Sequence, residues 1–172
     1  MSILGKKLLS VANRGLSLKN KREATFKTFA QAESIGILYS WEDAQKEKFV
    51  QEFSQSIGEG KEVKFLCYQP DKKSEINTEH PVFSAADLSM FGKITSEQAI
   101  TFQQRPLDYL FHLDFQLNEM TKAILLASKA HWKIGSHSEN GEGLYDLMIK
   151  MNLNAGLKNL AAQMLLYVKA LK

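Results

Sequence analysis

Apolar positions along this 172-residue chain fall into short unbroken runs that alternate with stretches of helical spacing. The clearest such unit runs from Asp108 to Gly135, DYLFHLDFQLNEMTKAILLASKAHWKIG. Pro106 cannot sit inside a helix and biases Arg105 toward extended backbone, so a new element begins just after it. Residues 109–113 are aromatic-rich and apolar almost throughout, the pattern of a strand covered on both faces, hence a central one. From Asn118, a good N-cap type, Met120, Ala123, Ile124 and Ala127 recur at helical spacing, with Leu125 and Leu126 widening the apolar face. A second strand over 131–134 stops at Gly135. Two strands joined by a helix make a βαβ unit with a right-handed crossover.

The same logic applies earlier in the chain. Residues 35–39 predict a strand. Ser40 with Asp43 resembles a capping box for an amphipathic helix carrying Trp41, Phe49, Val50, Phe53 and Ile57, which ends at Gly58 and Gly60. Residues 63–68 predict the next strand, and the polar stretch 69–81 predicts a long loop. Ser84 is expected to cap a short helix through Met90 and Phe91, and Thr95 or Ser96 another that carries Ala99 and Phe102. A Gly-, Ser- and Asn-rich tract, 136–143, precedes a fifth strand over 144–149. Its eight residues are fewer than the dozen or so of an ordinary parallel crossover, so the last two strands are expected to be antiparallel if they are neighbours. Leu157, Leu160, Ala161, Met164, Leu165, Val168 and Leu171 mark a closing amphipathic helix.

The pattern therefore predicts an α/β protein: a single three-layer domain over 35–172 with a mostly parallel sheet of about five strands. Ahead of it, Ile3, Leu4, Leu8 and Val11 share a helical face opposite Lys6 and Lys7, and a second short helix is expected over 17–30. Residues 1–34 thus read as a helical arm.

Composition changes the picture mainly through charge. The chain carries +3 overall, but Lys6, Lys7, Arg14, Lys19, Lys21, Arg22 and Lys27 stand against Glu23 alone within residues 1–30, a local +6 that leaves −3 for the rest. Basic residues interleaved with Phe26 and Phe29 suit phosphate contacts, so the arm is expected to meet RNA or the ribosome, with a merely solubilising extension, a protein partner or weak contact with an anionic membrane surface as alternatives. At 44% hydrophobic the chain is large enough for one real core. Cys67 is the single cysteine, which excludes an internal disulfide and any paired-cysteine metal or redox motif, and its apolar neighbourhood predicts a buried structural thiol. No run approaches the ~20 apolar residues of a membrane span, and the N-terminus lacks a signal peptide's apolar centre, so a cytoplasmic protein is expected.

Open α/β sheets bind ligands beyond the carboxyl ends of their strands, so each following loop is a candidate. After the first strand stand Ser40, Trp41, Glu42 and Asp43, with no glycine and two carboxylates that would repel a phosphate; the dinucleotide fingerprint is absent. Gly58, Glu59, Gly60 and Lys61 follow a helix and precede a strand, the reverse of a phosphate loop, and read as a helix end and turn. Asp114 sits where the central strand meets its helix, a place for a helix-capping carboxylate and, alternatively, for a ligand-binding or catalytic one. His112 reads as a core histidine, and with His131 and His137 it shows no metal-ligand spacing. No GxSxG elbow is present. The loop 135–143, with Lys133, Gly135 and His137 beside it, reads as a flexible hairpin turn or, alternatively, as a candidate ligand site together with Asp114.

IGILY at 35–39, DYLFHLDFQLN, ASKA followed by WKIG, and YDLMI at 145–149 resemble a family of small uncharacterised proteins, a domain of unknown function found in Bacteroidetes. That resemblance spans roughly residue 35 to the C-terminus and implies the fold without an activity. Asp108 to Gly135 is also similar to a strand–helix–strand unit in the N-terminal domain of lipopolysaccharide heptosyltransferases, whose second, sugar-nucleotide-binding domain has no room in this chain. Two functional expectations follow: a non-catalytic binding protein whose arm docks on RNA or the ribosome, or a small-molecule module or enzyme for a nucleotide or phosphorylated sugar. Neither implies a resident cofactor or metal.

Overall fold

The structure, a computed structural model, describes residues 27–70 and 76–171. Six strands build one sheet: β1 (Ser34–Ser40), β2 (Glu62–Gln69), β3 (Val82–Ser84), β4 (Tyr109–His112), β5 (Trp132–Ser136) and β6 (Leu147–Ile149). Their spatial order is β3-β2-β1-β4-β5-β6, every neighbouring pair parallel. The chain steps outward from β1 to one edge, returns to the centre and steps outward to the other, the doubly wound arrangement.

Among the described residues four α-helices cover the sheet: α1 (Ala44–Ser56), α2 (Glu97–Gln104), α3 (Glu119–Ala127) and α4 (Leu157–Ala170). Alternation along the strands sorts the core into two layers. Ile35, Ile37, Tyr39, Tyr109, Phe111 and Ile134 meet Val50 and Phe53 of α1 and Leu160, Met164 and Val168 of α4. Leu38, Leu66 and Leu110 meet Ala99 and Phe102 of α2 and Met120, Ala123 and Ile124 of α3 on the opposite face. Because β1 and β4 are covered on both sides, their side chains are buried almost without a break, as a parallel sheet requires.

β1 and β4 are also fastened at both ends. At one end Asp108 Oδ2 accepts from the backbone of Glu33 and Ser34 at 2.8 and 3.0 Å. At the other, Asp114 Oδ2 accepts from the backbone N–H of Ser40 at 3.0 Å and from its hydroxyl at 2.8 Å. Residues before β1 join the body as well: Phe29 is buried edge-on against Tyr109, and the Tyr109 hydroxyl donates to the carbonyl of Lys27.

The structure departs from the sequence pattern in four places. The last two strands, β5 and β6, are parallel and not antiparallel. A parallel pair only needs the chain to retrace its strand; β6 is three residues long, about 10 Å, and the ten intervening residues, with a 3-10 turn at Glu139–Gly141 in place of an α-helix, could reach up to about 33 Å. β3 was hidden because three residues beside a proline carry no period. Ser84 caps a single 3-10 turn, Ala85–Asp87, and the chain then folds into a small hairpin bridged by Leu88 and Ile94 that leaves Met90 and Phe91 exposed. Finally, Asp43 and not Ser40 caps α1, accepting from Lys46 N at 2.7 Å, because Ser40 is still in β1. The expected helix over 17–30 and the helix over 2–12 fall outside the described residues, apart from 27–30, where the chain forms a turn.

Candidate functional site

Where the chain reverses its direction of growth, a cleft of about 650 Å³ lies beyond the carboxyl ends of β1 and β4. Ser40, Trp41, Glu42 and Lys46 line it from β1 and the start of α1; Asp114, Phe115, Gln116 and Asn118 from the β4–α3 turn; Pro70 and Leu157 close it. Ligands of doubly wound proteins bind at such a point.

The polar floor is a charged pair taken out of water. Lys46 Nζ lies 2.5 Å from Asp114 Oδ1, and both side chains are 5% exposed. Lysine points here because the first turn of α1 faces the cleft, while Val50 and Phe53, further along the helix, face the sheet. The Asp114 carboxylate is fully engaged: Lys46 on Oδ1, the Ser40 backbone and hydroxyl, and His112 Nε2 at 3.1 Å from Oδ2. On its other side His112 Nδ1 lies 2.7 Å from Tyr145 Oη, the direction of that bond being set by the imidazole tautomer. Burial pushes Asp114 upward, but contact with His112 and the charge of Lys46 outweigh it and hold the carboxyl below its ordinary value. Lys46 mirrors it: burial lowers it, Asp114 and Glu42 raise it further, and it stays charged.

Asn118 links floor to wall. Its Oδ1 caps α3, accepting from Met120 N and Thr121 N, which turns Nδ2 toward Ser40 Oγ at 3.3 Å. Glu42, 65% exposed, reaches Lys46 Nζ from the solvent side at 2.6 Å. Asp114 is thus no helix cap and no free base. It orients an ammonium and a hydroxyl at the cleft floor.

A second buried polar cluster lies under α1. Tyr39 Oη donates to Glu47 Oε2 at 2.6 Å, Thr78 Oγ1 donates to Glu47 Oε1 at 2.7 Å, and His80 Nδ1 lies 2.9 Å from Tyr39 Oη while its ring stacks on Phe65. Burial lowers His80 and raises Tyr39. These groups satisfy one another and tie the 76–81 segment to the helix.

The other anticipated residues do not gather round Asp114. Lys133 is buried on β5 and donates its ammonium to the carbonyl of Leu125 in α3. Gly135 packs under the Tyr145 ring: a Cβ there would lie 2.5 Å from Tyr145 Cζ. His137 is exposed, its backbone N–H bonded to Ile149 O across the β5–β6 connection. Of the basic arm residues, Lys6, Lys7, Arg14, Lys19, Lys21 and Arg22 lie outside the described residues. Lys27 turns onto the body, 3.2 Å from Asp108 and 3.3 Å from Glu33. Among the described residues no group of three or more His, Cys, Asp or Glu side chains is placed to hold a metal ion, and no helix is long and apolar enough to cross a membrane.

Fold and cleft together define a doubly wound α/β domain with a polar crevice at its switch point and no glycine-rich phosphate loop. Residues 7–171 match DUF6913, a family of unknown function, and the chain belongs to that family. No curated protein and no solved structure matches it.

Proposed function

We propose that this domain is a small-molecule-binding module whose ligand occupies the switch-point cleft between β1 and β4. The observation that carries the reading is the buried Lys46–Asp114 pair on the cleft floor. Desolvating two charges costs several kcal/mol each, and such a pair is weak as a stabilising device compared with apolar residues of similar volume, so its placement beneath an open crevice favours a role in recognition. Trp41, Phe115 and Leu157 supply apolar wall, and Lys46, Asn118 and Gln116 supply polar contacts, the mixture that small-molecule sites use.

Titration of the ¹⁵N-labelled full-length chain with a fragment library tests this. Ligands are expected to shift the amides of Ser40, Trp41 and Asn118. A ligand at 100 times its dissociation constant should also stabilise the fold by about 2.7 kcal/mol. A library that moves no cleft amide refutes the reading.

Docking of the arm on RNA or the ribosome is an independent second reading. The +6 of residues 1–30 supports it. Lys27 adds little, since Asp108 and Glu33 already face it.

A further inference from the structure

We infer that Glu42 holds the place of a ligand's carboxylate on Lys46, and that the cleft takes an apolar or aromatic monocarboxylic acid whose carboxylate displaces Glu42. This rests on the small-molecule reading above and names the ligand class.

Two carboxylates share the Lys46 ammonium, and they differ in kind. Asp114 is buried and bonded on both oxygens, so it stays. Glu42 is 65% exposed and contacts Lys46 through Oε1 alone. An ion pair with one partner in water contributes little, so breaking it costs little. Glu42 also precedes Asp43, the N-cap of α1, and lies in loop backbone, so its side chain swings without disturbing the helix.

The charge count selects the ligand. With Glu42 in place, Lys46 faces two single negative charges. Exchanging Glu42 for another monoanion leaves that balance unchanged. A phosphate dianion would bring a second charge beside buried Asp114, and among the described residues that line the cleft Lys46 alone carries an ammonium to offset it. The rest of the molecule meets Trp41, Phe115, Leu157 and Pro70, surfaces suited to a ring or an alkyl chain. A carboxylate thus finds one ammonium donor at the floor and an apolar slot behind it.

Benzoate is the probe, with benzamide and inorganic phosphate as controls, titrated into the labelled full-length wild type, Glu42→Ala, and the double variant Lys46→Met/Asp114→Asn. The double variant removes both buried charges together, so neither is left alone in the core, and circular dichroism checks that it folds. Benzoate is expected to shift the Trp41 and Asn118 amides, to bind Glu42→Ala at least threefold more tightly than wild type, and to lose its binding in the double variant. Phosphate is expected to show no such dependence on Glu42. Equal benzoate affinity in wild type and Glu42→Ala, or retained affinity in the folded double variant, overturns the inference. Cleft shifts with benzamide or other neutral compounds but none with benzoate overturn it too, while leaving the small-molecule reading standing.

Discussion

Asp114→Asn, Lys46→Met and the two changes combined form a cycle that measures the charged pair at the cleft floor. Removing one member of a buried pair strands the other and costs about 3–5 kcal/mol. Asp114→Asn should fall near ~3 kcal/mol, because Glu42 still faces the stranded ammonium, although it is 65% exposed and screened by water. Lys46→Met leaves Asp114 its Ser40 and His112 contacts and should cost a similar ~3 kcal/mol. The double variant buries no net charge and should lose only about 1–2 kcal/mol, far less than the two singles added together. In urea, with a slope of ~2 kcal/mol/M, each single should unfold about 1.5 M earlier than wild type. Single costs that simply add in the double variant would refute the coupling.

The same pair contributes to both ends of the pH profile. The depressed Asp114 carboxyl stabilises the fold above the unfolded carboxylate value of ~3.9, and that contribution is lost as pH falls through the lower folded value. Lys46, raised in the fold, stabilises below ~10.4 and loses its contribution as pH rises through the folded value. Asp114→Asn should flatten the acid limb.

Further tests address the frame around the site. Gly135→Ala drives a methyl into the rigid Tyr145 ring and should break its 2.7 Å bond to His112, costing about 2–4 kcal/mol by thermal or urea unfolding. Gly36→Ala meets the Cδ1 atoms of Leu107 and Leu110, ends of flexible chains, and should cost only about 1–2 kcal/mol; the reverse order would contradict the packing. Cys67 is buried and its thiol pushed up to about 12 by burial, so Ellman's reagent should label it only on unfolding, and rapid labelling of the native chain at pH 8 would disprove this. A chain beginning at Ser34 loses buried Phe29 and should be about 3–4 kcal/mol less stable than one beginning at Lys27. RNA binding attributed to the arm therefore has to be compared between the full-length chain and the chain beginning at Lys27, and equal retention of RNA at low salt by both would sink that attribution.

Strand and helix identity was legible wherever burial imposed a long period. The unbroken apolar run of β4 announced a central strand, and Asn118 announced its helix, because two-sided burial and capping each leave a local signature. β3 left none, and β6, expected as a strand over 144–149, gave no sign of its direction, since three-residue edge strands take their direction from the sheet they join. The site was half legible. Position alone singled out Asp114, at the end of a central strand, but its partners Ser40 and Lys46 belong to the other half of the chain and come near only through parallel pairing. A more usable sign was present: Lys46 lies on the same helix as Val50 and Phe53, one turn before Val50, so a lysine opens the buried stripe of α1. Lys133 and His137 attracted notice as basic residues beside glycines, yet the strand's alternation sends Lys133 into the α3 layer and Gly135 is small to admit Tyr145.

The two aspartate fastenings of β4 to β1 carry a consequence for how the molecule comes into being. Asp108 reaches Ser34 and Asp114 reaches Ser40 across the same sequence separation of 74 residues. Closing a loop of that size forfeits about 4 kcal/mol of chain entropy before any contact across it is repaid. The β1–α1–β2 and β4–α3–β5 units need only local encounters, so they should take shape ahead of the seam between them. The cleft straddles that seam and has no existence in either half. Its assembly therefore coincides with the final joining of the sheet, and a ligand resting on Lys46 would report on a chain that has finished folding.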